Sequence, residues 1–202
     1  MRQKPERLRA RMKAAVHDAI LDAAERTVAE DGVEAASLQA VARRAGIAVG
    51  TIYNYFEDRQ ELFIALFDAR RVEMLAAVDA SLKEHAREPA ARQLTAFVES
   101  VLGHFERRRD FLRVAFATES LRMQMMRDKR PMLVQLEERA ARIIARGVRE
   151  KVLRAEGAEL YGPAFVGMMR GALLARLLGE SHASKQEAVR LVELFLHGAA
   201  RR

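Results

Sequence analysis

Residues 42–56 constrain this chain more than any other stretch. Ala42 is small, Gly46 follows four positions later, and Ile52 lies six positions beyond that. A small residue lets two helices cross closely. A glycine takes the left-handed conformation that ends the first helix and turns the chain. The isoleucine then faces back into the core that the two helices share. This spacing predicts a helix-turn-helix, whose second helix enters the major groove of DNA.

The remainder is expected to be helical as well. Half of the 202 residues are apolar, prolines number four, and Ala, Leu, Arg and Glu abound. That balance predicts an all-α fold with one large or two small domains. Cysteine is absent, which excludes disulfides and thiolate catalysis and fits a reducing cytoplasm. There is no apolar run of about 18 residues to span a membrane, and the N-terminus lacks the apolar core of an export signal. A cytoplasmic location is expected.

Apolar periodicity predicts about nine helices. The first runs from about Lys13 to Glu30, with Val16, Ile20, Ala23 and Val28 on one face, and stops at Asp31 and Gly32. Ser37 caps a second helix over Leu38–Ala45. The recognition helix covers about Val49–Phe56. Asp58 and Glu61 form a capping-box-like pair that opens a fourth helix, continuing to about Ala86. Its length of roughly 40 Å at 1.5 Å per residue exceeds what a three-helix head needs, so it joins that head to a second domain. Further helices start at Pro89, cover about Phe111–Met126 and Met132–Arg154, end near Gly179, and run from Ser184 and Glu187 to about Ala199. Pro163 either sits in the first turn of the eighth helix or kinks it. The expected organisation is a DNA-binding domain over 1–57 and a helical domain over 58–202.

The exposed side of the recognition helix is expected to carry Val49, Gly50, Thr51, Tyr53, Asn54 and Tyr55. Asn54 offers the paired donor and acceptor that match an adenine edge. Thr51 brings a hydroxyl and a methyl, Tyr53 and Tyr55 bring phenolic donors for phosphate, and Gly50 permits close approach. Gln39 is a further base or phosphate candidate, and Arg59 a phosphate candidate. Phe56 is assigned to the core, and Tyr55 is open to partial burial. Residues 1–13 hold six basic side chains (Arg2, Lys4, Arg7, Arg9, Arg11 and Lys13) against Glu6, which accounts for five of the seven net positive charges. This arm either contacts phosphate or the minor groove, or is a solvated tail.

The run Gly50-Thr51-Ile52-Tyr53-Asn54-Tyr55-Phe56 resembles the recognition helix of the tetracycline-repressor (TetR) family of bacterial regulators. The resemblance covers about Ala14 to Phe67; beyond it only the all-helical layout is shared. It implies DNA contacts at Gln39, Val49, Thr51, Tyr53, Asn54, Tyr55 and Arg59. Two departures stand out: Ala48 replaces a common serine and so removes a capping hydroxyl, and Arg59 replaces a common lysine with its charge kept.

The second domain is rich in Phe and Met, an adaptable apolar combination. Phe105, Phe111, Phe116, Met123, Met126, Phe165 and Met169 are the candidates for lining an effector pocket, which the resemblance implies; ordinary core is the alternative for each. Arg122, Arg170 and Arg176 either meet an anionic ligand group or face solvent. Gly167, Gly171, Ala175 and Gly179 recur every fourth residue, so another helix backbone can approach closely. With Leu174, Leu178, Leu191, Leu194 and Phe195, the residues Gly167, Gly171 and Ala175 are the candidate dimer interface, the resemblance implying a four-helix contact between two copies; packing within one chain is the alternative.

No catalytic motif, metal-ligand spacing or phosphate loop is present, and the five histidines are dispersed. No enzyme activity, cofactor or metal is expected. Three readings compete: a ligand-responsive repressor, a DNA-binding regulator without an effector, and a helical enzyme with a DNA-binding head. The first is preferred: a homodimer on a pseudo-palindromic operator in double-stranded DNA, released by a small and largely apolar effector.

Overall fold

The computed structural model describes residues 3–117, 132–178 and 185–199, with side chains for 7–115, 132–177 and 186–197. Every regular element among the described residues is a helix: α1 Gln3–Asp31, α2 Leu38–Ala45, α3 Val49–Ile52, α4 Arg59–Glu84, α5 Ala90–Arg107, α6 Arg109–Ala117, α7 Met132–Arg149, α8 Ala158–Leu178 and α9 Lys185–Ala199. The chain forms two compact units. The first comprises Met1–Arg70 with Asp110–Met126, the second Arg71–Arg109 with Arg127–Arg202. The division falls inside α4, whereas the sequence suggested a boundary at 57/58.

In the first unit, α1 begins ten residues before the start that its apolar face required. Pro5 lies in its first turn, where a missing N–H costs nothing, and the following residues are strong helix formers. The helix stops at Gly32, whose φ is +86°. The Ser37 hydroxyl accepts from the Ala40 N–H at 3.2 Å and caps α2. Gly46 ends α2 at φ +70°, in the left-handed region that a side chain disfavours. Its N–H and that of Ile47 return to carbonyls of α2. The core of the unit comes from Ile20, Leu21, Ala24 and Val28 of α1, Val41 and Ala42 of α2, Ile52, Phe56, and Leu62 and Leu66 of α4. Phe67 of α4 and Phe111 of α6 pack with ring centroids 5.7 Å apart.

The opening of α4 is the reciprocal cap that the sequence predicted. Asp58 Oδ1 accepts from the Glu61 N–H at 2.8 Å, and Glu61 Oε2 accepts from the Glu57 N–H at 2.6 Å. Arg70 fastens α4 to α1: its Nε donates to Glu25 and its Nη2 to Asp22, each at 2.5 Å. Burial works against the Arg70 charge, but the hydrogen bonds and negative charges of Asp22 and Glu25 outweigh it and raise the guanidinium pKa above its ordinary value.

In the second unit, Phe165 of α8 lies between Phe97 of α5 (5.9 Å) and Phe195 of α9 (5.0 Å). Leu94, Val98 and Val101 of α5 and Leu136, Ala140 and Ile144 of α7 extend this core. Helix α7 stops at Arg149, short of the expected Arg154. Lys151 adopts φ +60°, and the Val152 and Leu153 N–H groups both turn back to the Gly147 carbonyl, which places Leu153 in the core. A Cβ on Gly147 would stand 3.0 Å from Leu153 Cδ1, so the fit depends on the glycine. Pro163 lies inside α8 rather than in its first turn. The expected continuation of α6 to Met126, the break at 128–131 and Ser184 lie outside the described residues.

Candidate nucleic-acid interface

The recognition segment is one turn of α-helix, Val49–Ile52, followed by tighter turns. The expected helix to Phe56 is therefore shorter. The Asn54 N–H bonds to the Thr51 carbonyl at 3.1 Å and the Tyr55 N–H to the Ile52 carbonyl at 3.0 Å, three-residue closures that tighten the end of a helix. Burial of Ile52 and Phe56, four residues apart, fixes the rotation of this segment on the core. The opposite side then faces out. Val49, Gly50, Tyr53 and Asn54 are exposed, while Thr51 and Tyr55 are half-buried. A Cβ at Gly50 would meet no heavy atom within 4 Å, so nothing of the subunit obstructs approach there. Ala48 stands at the N-cap of α3 without a side-chain cap hydrogen bond.

Gln39, exposed at the start of α2, is tied directly to this surface. Its Nε2 donates to the Tyr53 hydroxyl oxygen at 3.0 Å. That leaves the phenolic proton to be donated elsewhere, in the direction useful for an acceptor such as phosphate. Arg59 is more occupied than the sequence suggested. Its Nη2 donates to the Val33 carbonyl at 2.6 Å, Nη1 lies 3.5 Å from Glu34, and the guanidinium sits 5.4 Å from the Phe63 ring centroid. The side chain thus anchors α4 to the α1–α2 connection, while remaining partly exposed.

Two side chains of α1 join this surface: Lys13, which the sequence placed only in the basic arm, and His17, which it did not single out. Lys13 Nζ lies 6.0 Å from the Tyr55 ring centroid, and the half-buried His17 ring lies 6.4 Å from Tyr55 and 5.4 Å from Phe56. The signal was present in the four-residue spacing of Lys13 and His17, but only the fold brings that face of α1 to the recognition segment.

The other candidates divide between core and surface. Phe105, Phe165 and Met169 are buried in the second unit and Phe111 in the first. The side chain of Phe116, and Met123, Met126 and Arg122, lie outside the described residues. Arg170 is exposed. Arg176 is not: it is buried and ion-paired to Glu187 of α9, and its carbonyl accepts from Arg109 at 3.3 Å. Gly167, Gly171 and Ala175 are exposed, Leu174 is half-buried, and Leu194 is 67% exposed. Leu160, at 64%, adds an exposed apolar side chain on α8 that the sequence pattern did not single out. Leu191 and Phe195 are buried within the chain, with Phe195 against Phe165 and Tyr161. The Leu178 side chain lies outside the described residues.

A buried Ile52 under an exposed polar turn, reached through a glycine-ended helix, defines a helix-turn-helix head on an otherwise helical chain. Residues 20–66 match the family model of the bacterial regulatory proteins of the tetR family, and over those residues the head of this chain is similar to that family. The chain is 34% identical over 67 residues to the fatty acid metabolism regulator protein of Bacillus subtilis (strain 168), a match covering 33% of this chain and 34% of the relative. It is 32% identical over 87 residues to the HTH-type transcriptional regulator BetI of Cronobacter sakazakii, covering 43% and 42% of the two chains. These matches therefore span well under half of either relative. The fold likeness extends further. The fatty acid degradation regulator FadR of Bacillus halodurans superposes with a TM-score of 0.71 at 19% identity, over 90% of this chain and 98% of that one. A TetR family transcription regulator of Marinobacter aquaeolei VT8 gives 0.66 at 18% identity, over 96% and 100%.

Proposed function

We propose that this chain is a ligand-responsive transcriptional regulator acting in the cytoplasm, a homodimeric repressor that holds a pseudo-palindromic operator and releases it when a small, largely apolar effector binds. The observation that carries the reading is the division of the recognition segment. Ile52 and Phe56 are sealed inside, while Val49, Gly50, Tyr53 and Asn54 stand outside with the chemistry that base edges and phosphates require. Function divides along the chain as the sequence suggests: residues 1–57 read DNA, and 58–202 hold the effector and the dimer contact.

The stripe at Gly167 and Gly171 supports the dimer, since a Cβ at either position would meet no described heavy atom within 4 Å. Phe105, Phe165 and Met169 of the second unit supply apolar surface for an effector, and two relatives carry names that refer to fatty acid regulation. Effector binding acts by differing in affinity between the DNA-holding and released conformations.

Binding-site selection tests the reading. The parent chain is expected to enrich a two-fold symmetric sequence. Asn54→Ala is expected to relax preference at one base pair in each half-site, losing about 1–3 kcal/mol of discrimination. Selection of the same sequence by the variant removes Asn54 from base readout, and failure of the parent to enrich any sequence overturns the regulator reading. Titration of apolar ligands against the bound operator tests release.

A further inference from the structure

We propose that the N-terminal half of α1 is a second DNA-contacting surface: a helical arm that lies on the phosphate backbone beside the half-site read by the recognition segment. The proposal rests on the DNA-binding reading and adds a contact that lies outside the matched family segment, residues 20–66.

Helix α1 begins at Gln3, yet among its described side chains, which start at Arg7, the first buried one is Ile20. Every described side chain from Arg7 to Ala15 is exposed. More than two turns of helix therefore project from the head without a part in its core. That stretch holds Arg7, Arg9, Arg11 and Lys13, and no acidic residue occurs from Arg7 to His17.

The helix also sets where these charges go. Lys13 and His17, one turn apart, lie against Tyr55 at the end of the recognition segment. At 100° per residue Arg9 falls within about 40° of Lys13, one turn farther out. One basic face, carrying Arg9 and Lys13, thus runs outward from the recognition segment, while Arg7 and Arg11 lie about 120° and 160° away from Lys13, toward the other side of the helix. Duplex DNA carries one negative charge per about 1.7 Å of axis, so cations along such a face need no particular base sequence to find phosphates. Helical form also selects the mode of contact. A helix with its side chains is about 10–12 Å across, and the minor groove is about 6 Å wide. An arm in this conformation lies along the phosphate ridge and does not thread the minor groove.

The test uses the full chain, an operator duplex selected by the parent and an unrelated duplex, with fluorescence anisotropy read across a salt series. Replacing Arg9 and Lys13 together by Gln is expected to weaken binding to both duplexes by a similar factor. The log–log salt slope is expected to flatten by about 0.9 for each phosphate that is no longer neutralised; two such phosphates amount to roughly 12-fold between 50 and 200 mM salt. Ala10→Pro keeps every charge but interrupts the helix ten residues before the first buried side chain, so the core is untouched. It is expected to lose part of the same affinity, and trimming the duplex flanks is expected to erase the difference between parent and variants.

An unchanged salt slope in the Gln variant, with the parent still selecting its operator, overturns the arm and leaves the head reading intact. Parent-like binding by Ala10→Pro overturns the helical placement. A change in sedimentation with an unchanged slope assigns the arm, with its exposed Leu8 and Met12, to a second copy of the chain and likewise overturns the proposal. Loss of sequence selection by the parent itself overturns the reading on which the proposal rests.

Discussion

Gly171→Leu separates the dimer from the subunit. In the single chain, a Cβ at position 171 meets no heavy atom within 4 Å, and the residue is exposed. Leucine therefore enters open space. It also replaces the poorest ordinary helix former with one of the best, a gain approaching 1 kcal/mol for the isolated subunit. Across a two-fold axis the sign reverses, because the same surface appears on both partners and each substitution acts twice. Overpacking costs about 1–3 kcal/mol per site, hence roughly 2–6 kcal/mol per dimer. At 1.4 kcal/mol per decade, the dimer weakens by about 30-fold to 20,000-fold. Sedimentation velocity over a concentration series reads the dissociation, circular dichroism reads the helix content, and a gel shift reads operator binding. The expected result is an intact helical monomer with steeply reduced operator affinity. A variant that remains dimeric and binds normally refutes the assignment, since a leucine at 171 then has no neighbour in either subunit.

Other consequences concern the head and the second unit. Gln39→Glu, which can only accept, draws the Tyr53 proton inward and adds negative charge at the surface; it is expected to bind DNA more weakly than Gln39→Ala, and equal affinities by anisotropy would separate the two residues. Arg70→Gln leaves Asp22 and Glu25 facing one another and is expected to cost about 1–3 kcal/mol in urea unfolding, between the values for exposed and buried pairs; a loss below about 0.5 kcal/mol would show the clasp to be inert. The hydrogen bond from Arg139, then its charge and that of Arg142, hold the Asp79 carboxyl below its usual 3.8 against slight desolvation. Its contribution is therefore present above that value and lost as pH falls through the lower folded value, so Asp79→Asn and parent should converge in thermal stability at the acid end and separate above about pH 4; parallel curves would rule this out.

The helix-turn-helix was legible because local chemistry decides it. Ser37 caps, Gly46 turns, and Ile52 must go inside, whatever the remainder of the chain does. The capped start of α4 was legible for the same reason. Features decided by distant partners were not. Nothing near Arg59 in sequence announces the Val33 carbonyl 26 positions away. Arg176 reads as one cation on an apolar helix until Glu187 of α9 is placed beside it. Leu191, Leu194 and Phe195 share an apolar pattern, and periodicity alone does not say which of the three faces its own subunit. The length of α1 escaped because its described side chains from Arg7 to Ala15 are all exposed, so no apolar period marks them.

The division of the chain between Arg70 and Arg71 falls within an unbroken helix, with no loop at that point. Residue count along α4 therefore acts as a phase. Inserting one residue between positions 70 and 71 would turn the remainder of α4 by about 100° relative to its first turns and advance it by 1.5 Å, because a helix, unlike a loop, cannot take up the slack. Length changes between Ala86 and Pro89 face no such condition. Among relatives of this chain, natural insertions and deletions should therefore collect in connections and spare the interior of α4, and where one does occur there, it should come in steps that nearly complete a turn.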